Sequence, residues 1–78
     1  MTTIPIVDAE ATGMRLRELF VDAGMSVRDV QSVFGFTTPQ AIYKWIHGKC
    51  LPSIDNLVVL SMVLGVSINE ILVVRKSA

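Results

Sequence analysis

Apolar residues recur along this chain at the spacing of one helix face, and glycines interrupt the pattern at intervals. The first predicted helix begins after Asp8, a good N-cap residue, and ends at Gly24. Its inward positions follow the i, i+3, i+4, i+7 pattern and are Leu16, Leu19, Phe20 and Ala23. The second begins after Ser26, with Asp29 completing a variant of the capping box, and ends at Gly35.

A third helix is predicted within residues 37–52, T-T-P-Q-A-I-Y-K-W-I-H-G-K-C-L-P. Either Thr37 or Thr38 can supply its N-cap, since a hydroxyl there accepts from an orphaned amide. Pro39 is expected in the first turn, where a missing N–H is harmless. Gly48 provides the left-handed exit that ends the helix.

The third helix has two distinct faces. Ile42, Trp45 and Ile46 share one face and are predicted to be core residues. Gln40 and Lys44 lie four residues apart on another face. Because a glycine turn links this helix to the one before it, the pair predicts a helix-turn-helix whose amide-plus-cation side could contact nucleic acid.

Two more helices are predicted after Pro52. Ser53 caps the fourth, and apolar residues cover more than half of its circumference, so we expect it to be central and packed on several sides. The residues that cover this part of the circumference are Ile54, Leu57, Val58, Leu60, Ser61 and Leu64. Ser67 opens the fifth, which is expected to run to Arg75 and Lys76, where cations suit a helix C-terminus. Its inward residues are expected to be Ile68, Ile71, Leu72 and Val74.

The pattern as a whole predicts a compact all-α domain. Residues 8–76 are predicted to form this single domain, and residues 1–7, which include Pro5, are expected to be a flexible N-terminal arm. Three methionines are expected to fill the core: Met14, Met25 and Met62.

Composition excludes several classes of protein. Half of the 78 residues are hydrophobic (51%), which suffices for a core, and the single Cys50 rules out an internal disulfide. His47 and Cys50 form no metal-binding cluster, so neither a metal nor a cofactor is expected. Paired carboxylates, nucleophile–histidine sets and glycine-rich phosphate loops are not found, so an enzyme is not expected. With no membrane-spanning run and no signal peptide, a cytoplasmic location is expected.

Charge gives only weak support for nucleic-acid binding. Seven basic and seven acidic residues leave a net charge of zero, whereas nucleic-acid binders usually carry a basic patch. From residue 26 to 53 the basic residues Arg28, Lys44 and Lys49 are opposed only by Asp29. The middle of the chain is therefore mildly positive.

Several motifs together resemble the phage-repressor and Cro-like helix-turn-helix family, also called the xenobiotic-response-element type. They are L-R-E-L, G-M-S-V-R-D-V, F-G-F, Q-A-I-Y-K-W-I-H-G-K, L-P-S-I-D-N-L and L-G-V-S-I-N-E-I-L, within residues 13–73. The resemblance implies a five-helix lambda-repressor-like domain with the helix-turn-helix at helices 2 and 3. It also implies sequence-specific binding of double-stranded DNA, often as a homodimer on a palindromic operator.

The same resemblance assigns residues to the DNA. The reading face of the third helix would comprise Thr38, Pro39, Gln40, Ala41, Tyr43 and Lys44. Phosphate contacts would come from Ser26, Val27, Arg28, Thr37, His47 and Lys49. Gln40 and Lys44 could instead be an ordinary solvated face, and Tyr43 could have a packing role.

Two departures from the family pattern affect the turn and its packing. The turn G-F-T-T-P holds one residue more than usual. Gln31 replaces the usual small alanine of the second helix, and we expect its side chain to bend outward. Members of the family often have a basic residue and a glutamine that contact backbone phosphates, and this chain has other residues at those positions. Few phosphate contacts are therefore expected.

Two functions from different classes remain open. The first is a DNA-binding transcriptional regulator, expected to be a repressor without an evident small-molecule effector. It would act as a homodimer, and the candidate interface residues are Ile71, Leu72 and Val74. The alternative is a protein-interaction module of the same fold, such as an antitoxin or a repressor's antagonist, with weak or no DNA binding.

Overall fold

A computed structural model describes residues 4–77 and contains the five predicted helices together with a small sheet. The helices are α1 (Ala9–Asp22), α2 (Val27–Phe34), α3 (Gln40–Ile46), α4 (Ile54–Leu64) and α5 (Ile68–Ile71). The strands are β1 (Pro5–Val7) and β2 (Val74–Lys76), which pair antiparallel. The all-α five-helix prediction is confirmed, with the sheet as a minor addition.

Local capping sets the start of four helices. In each, an N-cap side chain accepts a hydrogen bond from a backbone N–H in the first turn, as predicted. These N-caps are Asp8, Ser26, Ser53 and Ser67. The start of α3 differs, because its N-cap is Pro39 and no side chain caps it. The predicted cap at Thr37 or Thr38 is therefore wrong.

The end of the chain forms a strand, and the prediction that the fifth helix continues to Lys76 is wrong. Helix α5 is four residues long, and Leu72 already has an extended backbone (φ −77°, ψ 130°). Valines at 73 and 74 favour this change, since β-branched side chains suit a pleated backbone.

The N-terminal segment pairs with that strand. Pro5 lies opposite Lys76 and Val7 opposite Val74, so this part of the predicted flexible arm is a strand of the sheet. Residues 1–3 of the arm lie outside the described residues. The Thr12 hydroxyl accepts from the Val73 N–H at 3.0 Å, which ties the start of β2 to α1.

The hydrophobic core draws on all five helices. Its buried members are Leu16, Phe20, Val30, Ile42, Trp45, Ile46, Leu57, Leu60 and Ile71. Ile71 is 0% exposed within its own chain. It is unavailable to a second copy, so its assignment to a dimer interface is wrong, whereas Leu72 is half-buried and Val74 is exposed.

Helix α4 is less enclosed than the sequence predicted. Leu57 and Leu60 face the core, but Ile54 is 77% exposed, Val58 43% and Met62 77%. The prediction of a helix packed on several sides is therefore wrong. Among the other methionines, Met14 is also exposed, against expectation, whereas Met25 packs on the core. Within residues 4–77 no helix has the length and apolar character needed to cross a bilayer.

Helices α1 and α3 approach each other closely at two glycines. A Cβ atom on the buried Gly13 would lie 2.5 Å from the carbonyl oxygen of Trp45. A Cβ on Gly48, whose φ is +71°, would lie 2.7 Å from Cα of Glu10. Only glycine allows α1 to lie directly on the end of α3, so these contacts fix where α3 sits.

Candidate nucleic-acid interface

Residues 35–39 connect α2 and α3 through a turn that begins at a left-handed glycine. Gly35 has φ +70°, and the N–H of Phe36 donates to the carbonyl of Gln31 at 3.2 Å. This arrangement closes the last turn of α2 and reverses the chain. The longer turn noted in the sequence is thus a hydrogen-bonded, ordered connection.

The side chain of Gln31 forms part of this turn. Its Nε2 donates to the carbonyl oxygen of Phe36 at 3.1 Å, and the residue is half-buried. The prediction that Gln31 bends outward is wrong, because the carbonyl of Phe36 in the turn lies within reach of its amide. Gln31 therefore fixes α2 to the turn that leads into α3.

Three aromatic rings hold α3 at its angle to α2. Phe34 and Phe36 stack with their ring centroids 5.0 Å apart. Both rings meet Trp45 edge-on, at 5.5 and 6.1 Å. These are favourable aromatic geometries, and they confirm Trp45 as a core residue that supports α3 from behind.

The outward face of α3 carries the main candidate residues. Gln40 and Lys44 are exposed, opposite the buried Ile42, Trp45 and Ile46. Across residues 4–77 no hydrogen bond or salt bridge engages the side chain of either Gln40 or Lys44. Both are therefore free to contact a ligand.

Tyr43 and His47 extend the same face. The two rings stack at 5.9 Å with an interplanar angle of 24°, and Tyr43 is 44% exposed. The two residues are four positions apart, so the stacked rings lie on the same side of the helix. Tyr43 thus has the packing contact that the sequence left open as one alternative, and its exposure leaves the other alternative, a DNA contact, as a prediction.

The remaining base-contact candidates differ in accessibility. Thr38 is exposed in the turn. Pro39 and Ala41 are half-buried, and Ala41 packs against the core. We expect these two to offer a partner less surface than Gln40 or Lys44 does.

The N-terminus of α2 already holds a carboxylate. Asp29 accepts from the Ser26 N–H at 2.9 Å, and the Ser26 hydroxyl accepts from the Asp29 N–H at 3.1 Å. Hydrogen bonding first from the Ser26 backbone and then from its side chain lowers the pKa of Asp29 below its usual 3.8. Asp29 is thus ionised at neutral pH, and it places a negative charge beside the N-terminus at which Ser26 and the amides of Val27 and Arg28 were predicted to contact a phosphate.

The other phosphate candidates are distributed around the helix-turn-helix. Arg28 is exposed at the start of α2, Thr37 in the turn, and His47 and Lys49 after α3. Val27 is half-buried and packs on the core, so only its backbone amide is available for such a contact.

Sequence reasoning missed the residues that position this surface. Gly13 lies in the middle of α1, where its only visible signal was that it weakened the helical pattern. Its close approach to α3 depends on a partner more than thirty residues away. Among residues 4–77 no three histidine, cysteine or acidic side chains cluster as metal ligands would.

Comparison with known proteins gives two matches. The family model described as helix-turn-helix (HTH_3) matches residues 16–71. The fold is similar to that in the crystal structure of the DNA-binding domain of BldD, with 22% sequence identity and a TM-score of 0.71. That match covers 85% of this chain and 94% of the other. No curated protein matches the chain significantly.

Proposed function

The chain belongs to the phage-repressor and Cro-like helix-turn-helix family, and from this we propose that it is a sequence-specific, double-stranded DNA-binding transcriptional regulator that acts as a repressor. The observation that carries the proposal is the outward face of α3. There Gln40 and Lys44 stand exposed and unengaged, while the opposite face is fixed in the core. Such a helix can enter the major groove without disturbing the domain.

The chemistry of the two side chains suits base edges. The Gln40 amide can form a bidentate pair with N6 and N7 of adenine, and the Lys44 ammonium can donate to O6 or N7 of guanine. Each such contact is worth about 1–3 kcal/mol of discrimination against a wrong base. Thr38 and Ala41 carry methyl groups that can meet the methyl group of thymine.

Few phosphates are neutralised in this arrangement. Arg28 and Lys49 supply the cationic contacts and His47 a further hydrogen-bond donor, while Asp29 keeps a negative charge at the N-terminus of α2. With three or four phosphate contacts, the logarithm of the affinity falls with the logarithm of salt at a slope of about −3 to −4. Affinity for random DNA is then modest, and base contacts decide where the protein binds.

Repression follows from occupancy in this proposal. Two copies bind two half-sites about 34–36 Å apart, and a promoter overlapping those sites is blocked. A regulator of this kind must be in the same compartment as the DNA that it binds. The proposal therefore includes the expected cytoplasmic location.

The test begins by selecting bound sequences from a random pool of duplex DNA. Affinity is then measured by fluorescence anisotropy at several salt concentrations. Gln40→Ala should relax the preference at one base pair by about 10- to 100-fold. Lys44→Ala should either do the same or make the salt slope shallower by about one unit. The matched controls are Asn69→Ala and Lys76→Ala, which remove an exposed amide and an exposed ammonium elsewhere.

The alternative proposal is a protein-interaction module of the same fold. Two observations favour it: the net charge of zero and the carboxylate at the N-terminus of α2. It predicts no DNA affinity even at low salt, no selected sequence, and a partner protein that co-purifies with the chain. That combination of results would rule out the repressor proposal.

A further inference from the structure

Helix α4 presents a second apolar face to solvent. Ile54, Val58 and Met62 are spaced by four residues and therefore lie on one side of the helix. All three are exposed, whereas Leu57 and Leu60 fill the core from the other side. A surface helix normally carries polar residues on its outer face, so this outer stripe lacks an explanation in the isolated chain.

The stripe formed by Ile54, Val58 and Met62 has the size and composition of a contact surface. It exposes on the order of 400 Å² of apolar side chain, the size at which patches on monomers are often functional. The single charged residue of α4 is Asp55, in the first turn. The stripe itself carries no charge that would repel an identical surface.

We propose that a second copy of this chain docks on the stripe, with the two α4 helices antiparallel about a two-fold axis at Val58. Ile54 of each copy then packs on Met62 of the other, and Val58 packs on its own counterpart. The stripe suits an antiparallel pair because Val58 lies midway between Ile54 and Met62 and can therefore lie on the two-fold axis. The inference rests on the proposed function, which requires two copies on two half-sites. Because Ile71 is buried in its own chain, only the half-buried Leu72 and the exposed Val74 remain of the earlier interface candidates, and together they offer less apolar surface than the stripe on α4.

The area places the proposed dimer in a size class. Two stripes face to face bury roughly 800 Å², at the boundary between crystal packing and weak specific interfaces. The free protein is therefore mainly monomeric at low concentration. DNA with two half-sites raises the effective concentration of one copy near the other and completes the dimer.

Cysteine cross-linking tests the two-fold axis directly. In a Cys50→Ser background, Val58→Cys places two thiols against each other across the axis, within disulfide reach. The matched control is Val21→Cys, at an exposed valine of α1. Mild oxidation should link the Val58→Cys copies at least about tenfold faster than the control. Equal rates would overturn the proposal.

Charge exchange tests the pairing of Ile54 with Met62. Met62→Glu or Ile54→Lys alone should raise the dimer dissociation constant at least about tenfold, because each introduces an unpaired charge into an apolar contact. Mixing the two variants should restore dimers, since the lysine of one copy meets the glutamate of the other. The control Met14→Glu changes an exposed methionine of α1 and should dimerise like the wild type. Sedimentation equilibrium up to about 1 mM measures the constants.

Two DNA probes separate failure of this inference from failure of the proposed function. On a single half-site, Met62→Glu should bind like the wild type; on two half-sites it should lose at least about tenfold of the cooperative affinity. The α4 dimer is overturned if the Met62→Glu variant keeps the cooperativity of the wild type. It is also overturned if the wild type is monomeric both free and on two half-sites. If neither the wild type nor the Met62→Glu variant binds DNA, the proposed function is overturned instead. The cross-linking experiment then still tests whether the α4 dimer forms.

Discussion

Replacing Gly13 with alanine tests whether α1 positions α3, the helix that we propose contacts DNA. The new Cβ would lie 2.5 Å from the carbonyl oxygen of Trp45 and 2.7 Å from that of Ile46. Both distances are shorter than real contacts of a Cβ atom, and both neighbours are backbone atoms that no rotamer change can move away. Either α1 or α3 must shift.

Two opposing contributions decide the size of the effect. Alanine gains about 1 kcal/mol over glycine in helix propensity. Overpacking a tight contact costs about 1–3 kcal/mol, and more where backbone must move. We expect a net loss of about 1–2 kcal/mol in the free energy of unfolding, which in a domain of this size lowers Tm by about 4–16 °C.

Thermal and urea unfolding measure the loss in the free energy of unfolding. The displacement of α3 is measured by DNA affinity at a temperature where the variant is folded. The control is Gly24→Ala, where φ is +67° and no atom lies within 4 Å of the new Cβ. It should lose about 1 kcal/mol from backbone strain alone and keep its DNA affinity. A rise in Tm for Gly13→Ala, as helix propensity alone would give, would refute the close approach of α1 and α3.

Three further predictions concern hydrogen bonds. Asp29→Asn should be less stable than the wild type at neutral pH. The pKa of Asp29 is lower in the folded chain than its ordinary value of 3.8. Its stabilising contribution is therefore present above pH 3.8 and is lost as the pH falls through the lowered value. A difference in urea midpoint between Asp29→Asn and the wild type that is equal at pH 7 and pH 2 would contradict this. Thr12→Val should lose about 1–3 kcal/mol, because the buried group that bonds the Val73 N–H disappears, and urea unfolding measures it. Gln31→Leu should weaken DNA binding more than its change in Tm accounts for, because the turn before α3 loses its hydrogen bond, and no loss of affinity would contradict that role.

Capping residues could be predicted from the sequence because their interactions are local. Ser26 and Asp29 bond each other within one turn, and Ser53 bonds an amide three residues on. The end of α5 could not be predicted in this way. The residues predicted to continue it form β2, and besides the local preference of the valines this strand needs β1, which comes from the opposite end of the chain. Periodicity within a segment carries no information about such a partner.

Periodicity also failed to identify the buried face of α4. Both Leu60 and Met62 belong to apolar stripes, and only the packing of the other helices decides that Leu60 is enclosed and Met62 is not. On α3 the choice was clearer, because Gln40 and Lys44 oppose an apolar face. The role of Gln31 could not be predicted, since the carbonyl that accepts from its amide comes within reach only once the turn has formed.

The strand pairing at the chain ends implies an order of folding. The contact between Thr12 and Val73 joins residues 61 positions apart, and the one between Ile4 and Ser77 joins residues 73 apart. Closing so long a loop costs more chain entropy than forming α2, its turn and α3, whose contacts join near neighbours. The ends should therefore pair last and open first, which leaves the helix-turn-helix intact while amide hydrogens of the sheet exchange with solvent.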